Sequence, residues 1–332
     1  MPIWPFNKES DEDKALKAAQ KASIAALELG DIPLMARKRL TEQVASGTEF
    51  FSSTLSTNAY LLSKEAGYQI LGTVMGSAFM RMPFNIMTAS GEMTVVSHNR
   101  KEARRLAIAR LCKEAEVLGA HGVIGVEVSE GNSDWGFDIT EFTAQGTAIR
   151  IPDGKFLQQS KHIPFTSTLS GQEFWRLFED GYWPMGIVAG NSSHFEYCNS
   201  QTQMLTASLF GGFSNQEITQ YSQAFTECRR TAMNRLILEV GMLGADGAVD
   251  MTLDYQLKPY HVESNRARYM HFIFHFNVLG TAVIYRPDGM RRKRASGLVM
   301  IDLAGSGRRS LTMDEPVDNL AQNKFDDADA LE

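Results

Sequence analysis

Residues 51–56 read FSSTLS, and 114 residues later residues 165–170 read FTSTLS. The same offset carries Gly67-Tyr68 onto Gly181-Tyr182, Gly72 onto Gly186 and Gly76 onto Gly190. Farther along the offset grows to 125. There Arg104-Arg105 matches Arg229-Arg230, Leu111 matches Leu236, and Leu118-Gly119-Ala120 matches Leu243-Gly244-Ala245. At 134 it carries Gly146-Thr147-Ala148 onto Gly280-Thr281-Ala282, and one more residue aligns the PDG at 152–154 with the PDG at 287–289. Blocks that keep their order and change length only between one another mark an internal duplication. Residues 51–154 are therefore module one and residues 165–289 module two, with 155–164 as a linker.

One module can be read and the reading applied twice. Its opening segment, 51–56, is β-branched and aromatic and predicts a short strand. A short helix over 58–64 (172–178 in module two) follows and stops at Gly67 or Gly181. YQILGTVMG then predicts a strand whose glycines admit another backbone at close range. Asn99, with Glu102 three residues on, is the expected cap of the main helix. Ala103, Leu106, Ala107, Leu111, Ala115 and Leu118 give that helix an apolar stripe, closed by Gly119. Cys228, Ala232, Leu236, Val240 and Leu243, closed by Gly244, repeat the stripe. An apolar strand, a hairpin and a long final strand complete each module, over about 137–151 and 268–285. The fold class is α/β of the α+β type: two tandem strand-helix-strand-strand modules, each with an extra opening strand. One helix covers only part of a sheet, so each module is expected to complete itself against a neighbour.

Outside the modules, residues 1–50 predict a helical extension. Ser10 and Asp13 start one helix that runs to Leu29, GDIP breaks it, and a second spans 34–44. Leu169-Ser170-Gly171 is echoed, again at offset 134, by Leu303-Ala304-Gly305, so residues 290–313 read as a further opening strand. Residues 314–332 are acidic, poor in large apolar side chains, and expected to be disordered.

A net charge of −6 gives no general attraction to nucleic acid or anionic lipid. No apolar run approaches the roughly 20 residues that span a bilayer. The opening MPIWPFNKESDEDK lacks the basic start and apolar core of a secretory signal. Three cysteines, Cys112, Cys198 and Cys228, without a CxxC pair, point away from a disulfide framework or a zinc ribbon. A cytoplasmic location, with no nucleic-acid or membrane partner, is expected.

GYQILGTVMG, a helix ending EAEVLGAHGVIGV, and FTAQGTAI together resemble the YbjQ-like family, which carries a heavy-metal-binding label. Module two is similar through GYWPMGIVAG, GMLGADGAVDM and VLGTAV, and GDIPLMARKRL resembles the lead-in of tandem bacterial members. The resemblance implies a small α/β module that forms five-fold rings in single-copy members, and it implies little about activity. Module one departs from the pattern in lacking the Gly211-Gly212 turn before its helix. Module two departs in a longer final hairpin around 256–265. Two modules per chain cannot tile one five-module ring. Either five chains stack two rings or an even-membered ring forms, and five chains is the favoured number.

Catalytic motifs are missing: there is no nucleophile elbow, no GxxxxGK[ST] and no paired-carboxylate pattern. His194, Glu196 and Cys198 alternate, so on a strand they would face one way and offer N, O and S ligands to a divalent or heavy metal. Module one has Met80, Met82 and Phe84 there. His271 and His275 share a strand face but stand about 13 Å apart at the strand rise, and read as polar positions on a half-exposed strand, with Glu263 across the hairpin. Cys228 and Cys112 read as core. The arginine pairs 104–105 and 229–230 read as solvated helix surface, the alternatives being binding of an anion or contact with a neighbouring subunit's carboxylates. The run Arg291-Arg292-Lys293-Arg294 reads as a solvated loop, the alternative being contact with RNA or acidic partners. These features predict a non-catalytic homo-oligomeric scaffold or binding module with no resident cofactor. The alternatives are a metal-binding protein using His194, Glu196 and Cys198, and an enzyme acting in a groove between modules.

Overall fold

In the computed structural model the described residues are 11–46, 52–81, 89–133, 139–151, 163–202, 217–264 and 267–286, all within the unit Met1–Gly289. Module one runs α3 (Thr57–Ala66), β1 (Gln69–Arg81), β2 (Gly91–Glu92), α4 (Thr94–Val117), β3 (Gly122–Ser133) and β4 (Ile139–Arg150). Module two runs β5 (Phe165–Thr166), α5 (Gly171–Glu179), β6 (Tyr182–Glu196), α6 (Thr219–Met242), β7 (Gly247–Ser264) and β8 (Ala267–Tyr285). Ahead of them stand α1 (Asp11–Glu28) and α2 (Leu34–Ser46), on either side of the predicted break. The fold is α/β, as the periodicity requires. The linker residues 155–162, Gly211-Gly212, the basic run 291–294 and residues 290–332 lie outside the described residues.

The two copies match in detail. β1 pairs antiparallel with β4 and β3 with β4; β6 pairs with β8 and β7 with β8 in the same way. Glu114 Oε2 accepts the Met75 amide at 3.0 Å, and Glu239 Oε2 accepts the Ala189 amide at 2.9 Å. The Thr54 amide donates to Thr147 Oγ1 at 3.0 Å, and the Thr168 amide to Thr281 Oγ1 at 2.9 Å. Each of these pairs is related by the offsets found in the sequence. The stripe residues Ala103, Ala107, Leu111 and Ala115 are fully buried against β1 and β4, and Cys228, Ala232 and Leu236 fill the matching places in module two. Gly119 and Gly244 sit in left-handed conformation just past the two helices.

The glycines in β1 and β6 have the predicted role. A Cβ at Gly76 would collide with the Ala107 carbonyl and lie 2.6 Å from the Leu111 nitrogen. At Gly190 it would collide with the Ala232 carbonyl and lie 2.8 Å from the Leu236 nitrogen. Helix backbone thus rests directly on strand backbone in both modules. The bulge in β3 places Gly125 at φ 59°, and the matching bulge in β7 holds Asp250 at φ 52°. A non-glycine residue tolerates that conformation best when it is Asn or Asp.

Two expectations need correction. α4 begins at Thr94, not at Asn99, and its N-cap residue, Met93, makes no side-chain cap. Its first turn is held instead by module two: the Met93 amide donates to Ser193 O at 2.8 Å. The opening segments also differ. Residues 165–166 are a strand, whereas the described part of the first copy, 52–56, is not. Phe51 lies outside the described residues. The reason is partnership: a strand exists only against another strand, and only the second copy has one, the edge of β3.

Gly76→Ala and Gly190→Ala should each destabilise the fold by about 1–3 kcal/mol or more, because the helix must lift off the sheet. Gly241→Ala, where an added methyl meets open space inside a helix, should be neutral or stabilising by up to about 1 kcal/mol. Urea unfolding of the three variants checks this, and equal effects at all three would contradict it.

Candidate functional site

The described chemistry concentrates where the modules meet. The sheet orders are β1-β4-β3-β5 and β2-β6-β8-β7, so each sheet takes its fourth strand from the other module. β5 joins β3 in parallel, with Phe165 opposite Gly122 and Thr166 opposite Val123. Beyond it, Ser167 donates to Val123 O at 2.9 Å, and the Val126 and Gly125 amides donate to Ser167 O and Leu169 O. In exchange β2 joins β6, with Glu92 opposite His194. The Glu92 carboxylate then meets Arg235 Nη1 on α6 at 2.5 Å, and the same Nη1 donates to Asn191 O.

Between these exchanges α4 lies against β6 of the other module. Asn191 Nδ2 donates to Ser97 O at 2.7 Å, the Ser193 amide donates to Ser97 Oγ at 2.9 Å, and Arg104 reaches Asn191 Oδ1 at 3.4 Å. Arg100 pairs with Glu130 at 2.5 Å, and Asn277 of module two donates to the same carboxylate oxygen at 3.1 Å. Burial pulls the Arg104 guanidinium down to about 10 and raises the Glu130 carboxyl, with Arg100 opposing the latter. A cavity of about 340 Å³ opens beside this cluster, lined by Arg104, Glu130 and Phe142 from module one and by Asp250, Asp254 and Asn277 from module two. Glu130 Oε1 and Asn277 Oδ1, both from lining residues, have no hydrogen-bond donor.

The sequence-derived candidates fall on the same side of module two, near β2. His194 Nε2 and Glu196 Oε2 approach to 3.3 Å, while the second Glu196 oxygen takes a hydrogen bond from Gln220. Cys198 is not brought to them. β6 ends at Glu196, so the strand alternation stops before Cys198, whose sulfur instead takes the Tyr221 hydroxyl at 3.4 Å. Among the described residues no three His, Cys, Asp or Glu side chains gather closely enough to hold a metal ion. As arranged, the three do not fit a metal centre.

His271 and His275 correct the half-exposed reading, for both are buried. The Cys198 amide donates to His271 Nδ1 at 3.1 Å, and Tyr197 stacks on that ring. His275 Nδ1 meets Ser193 Oγ at 2.8 Å, and Glu263 stands opposite Arg268, not opposite either histidine. Cys228 is core as expected, and burial lifts the Cys112 thiol to about 12. Of the arginine pairs, Arg105 and Arg230 hold surface carboxylates and Arg229 is exposed. Arg104 is buried in the joint, against the solvated reading. Arg100, Ser97, Asn191 and Asn277 carried no sequence signal of their own. The signal that existed was the polar residue on a helix that already had one apolar stripe.

A family model named YbjQ and described as "Putative heavy-metal-binding" matches residues 56–152. Over 247 residues, 73% of this chain and 89% of the other, the chain is 31% identical to a Mycobacterium tuberculosis protein named "Encapsulin nanocompartment protein Rv1762c". The chain belongs to the YbjQ-like family. It is also similar to shorter members named UPF0145 protein. One from Pseudothermotoga lettingae is 37% identical over 20% of this chain and 58% of its own length. One from Thermotoga maritima is 35% identical over 25% and 83%. Among the described residues no helix is long and apolar enough to cross a membrane.

The joint gives this YbjQ-like chain a pH signature. Burial first, then the charges of Arg100 and Lys258, hold the His275 imidazole at about 2, far below its ordinary 6.5. The folded chain keeps it neutral while the unfolded chain protonates it near pH 6.5. Its contribution is thus full above that pH and is lost as pH falls toward 2, at about 1.4 kcal/mol per pH unit for one proton. Stability by urea unfolding should fall between about pH 7 and pH 5, and His275→Gln should flatten that fall by one proton's worth. An unchanged slope in the variant would contradict the assignment.

Proposed function

We propose that this protein is a non-catalytic, self-associating scaffold or binding module of the cytoplasm, built from five chains and working without a resident cofactor. The observation that carries this is the reciprocal strand exchange: a module docks on a module through its sheet edges, a surface made for assembly. Arg104 and Glu130, whose ionisation burial perturbs, are both engaged in bracing the joint. The M. tuberculosis relative bears the name of a nanocompartment protein, and an assembly role of that kind is what we extend to this chain. Five chains follow the five-fold order that the family resemblance implies.

Light scattering and native mass measurement on the purified protein test it. A particle of five times the 36.9 kDa chain is expected. A single chain at micromolar concentration would overturn self-association, and another multiple would overturn the number alone. The contact of His194 with Glu196 and the family's label support one second reading, metal binding with Cys198 recruited. Elemental analysis of protein purified without chelator decides it. Stoichiometric metal that is lost in Cys198→Ala would establish it, and its absence would remove it.

A further inference from the structure

We infer that a second copy of this chain docks head to tail on module two, its residues 52–55 adding to the open edge of β7 as residues 165–169 add to β3. This docking presupposes the self-association proposed above and names the surfaces that make it.

Among the described residues, both strand exchanges of the joint inside the chain have a counterpart edge left open at its ends. The edge of β3 at 122–126 is filled, and the matching edge of β7 at 247–251 pairs with nothing beyond β8 on its other side among the described residues. Gly122 is needed because a Cβ there would strike the Phe165 ring, yet at Gly247 the same Cβ would meet open space. The room above Gly247 is thus the room that the incoming segment fills above Gly122. The second exchange is open as well. β2 closes the outer edge of β6 at 194–195, and the matching edge of β1 at 80–81 has no such strand among the described residues.

Burial tells the same story position by position. Val126 is 2% exposed, and its counterpart Met251 is 36% exposed. Ala189 and Ser193, pressed into the joint, are 3% and 0% exposed, whereas their counterparts Met75 and Phe79 on β1 are 48% and 62% exposed. Large apolar side chains therefore stand at both ends of the chain on the surfaces that the internal joint buries, which isolated soluble chains avoid in contiguous patches. Charge fits too. Arg235 holds Asn191 O and the carboxylate of Glu92; its counterpart Arg110 holds Ser77 O in the same way, and Glu217 of the incoming copy is the counterpart of Glu92. The arrangement is heterologous and joins module two to module one, so modules alternate. A ring closed through this contact would alternate the two modules in a single tier, not stack two rings of one module each.

The register puts Ser52 of one copy beside Ala248 of the next, where paired Cα atoms suit a disulfide. Full-length chains carrying only Ser52→Cys are mixed with chains carrying only Ala248→Cys, oxidised mildly, and run without reductant. A disulfide-linked pair in the mixture, absent from either variant alone, is expected. In a second arm Phe79→Glu, at an exposed position that the fold itself does not need, should reduce the particle to the mass of one chain. An assembly that stays large in Phe79→Glu and yields no Ser52–Ala248 link would overturn this joint while leaving self-association standing. A wild-type single chain would overturn both. An intrachain link between Ala248→Cys and Met300→Cys would also overturn the joint, by assigning the β7 edge to the chain's own C-terminal echo.

Discussion

A strand at the edge of a sheet leaves a row of amides and carbonyls without partners, and at one edge each sheet of this chain meets that demand with a segment of the other module. Four backbone hydrogen bonds tie the 165–169 segment to β3 and its flank, and β2 returns the contact on β6. Each bond is worth only about 1 kcal/mol net, but leaving buried groups unpaired would cost more. Neither module is therefore complete alone.

That exchange explains the unusual surroundings of α4. One side lies on its own sheet, close enough that Gly76 can carry no side chain. The other side lies on β6 of module two, where Ser97 and Arg104 find partners in Asn191 and Ser193, while Arg100 pairs with Glu130 of its own module, whose carboxylate also accepts from Asn277 of β8. A helix buried on both sides can hold charged residues only if each is paired, because an isolated buried charge costs several kcal/mol. The perturbed Arg104 and Glu130 are thus consequences of docking, and the neutral His275 packed behind Ser193 is another. α6, with no module beyond it among the described residues, presents Arg229 to solvent where α4 presents Arg104 to Asn191.

Much of the fold was written in the spacing of small residues. Gly76 and Gly190, Gly119 and Gly244, and the alanine-rich stripes are set by backbone proximity and helix closure, local constraints that a repeat makes visible twice. The edges were not readable in the same way. Residues 52–56 and 166–170 differ at one position, yet only the second copy has a strand, because pairing depends on what lies alongside and not on the segment. The arginine pairs make the same point with identical residues in two environments. His194, Glu196 and Cys198 alternate in sequence, but the strand stops at Glu196, and alternation has no geometric meaning past a strand's end.

The interlocking of the two modules is tested most directly by native-state hydrogen exchange. The amides of Met93, Val126 and Ser167, each donated across the joint, should exchange only as slowly as global unfolding allows, alongside core amides of β1 and β4. If they exchange orders of magnitude faster than those core amides, the modules separate without unfolding and the reciprocal exchange does not hold the chain together.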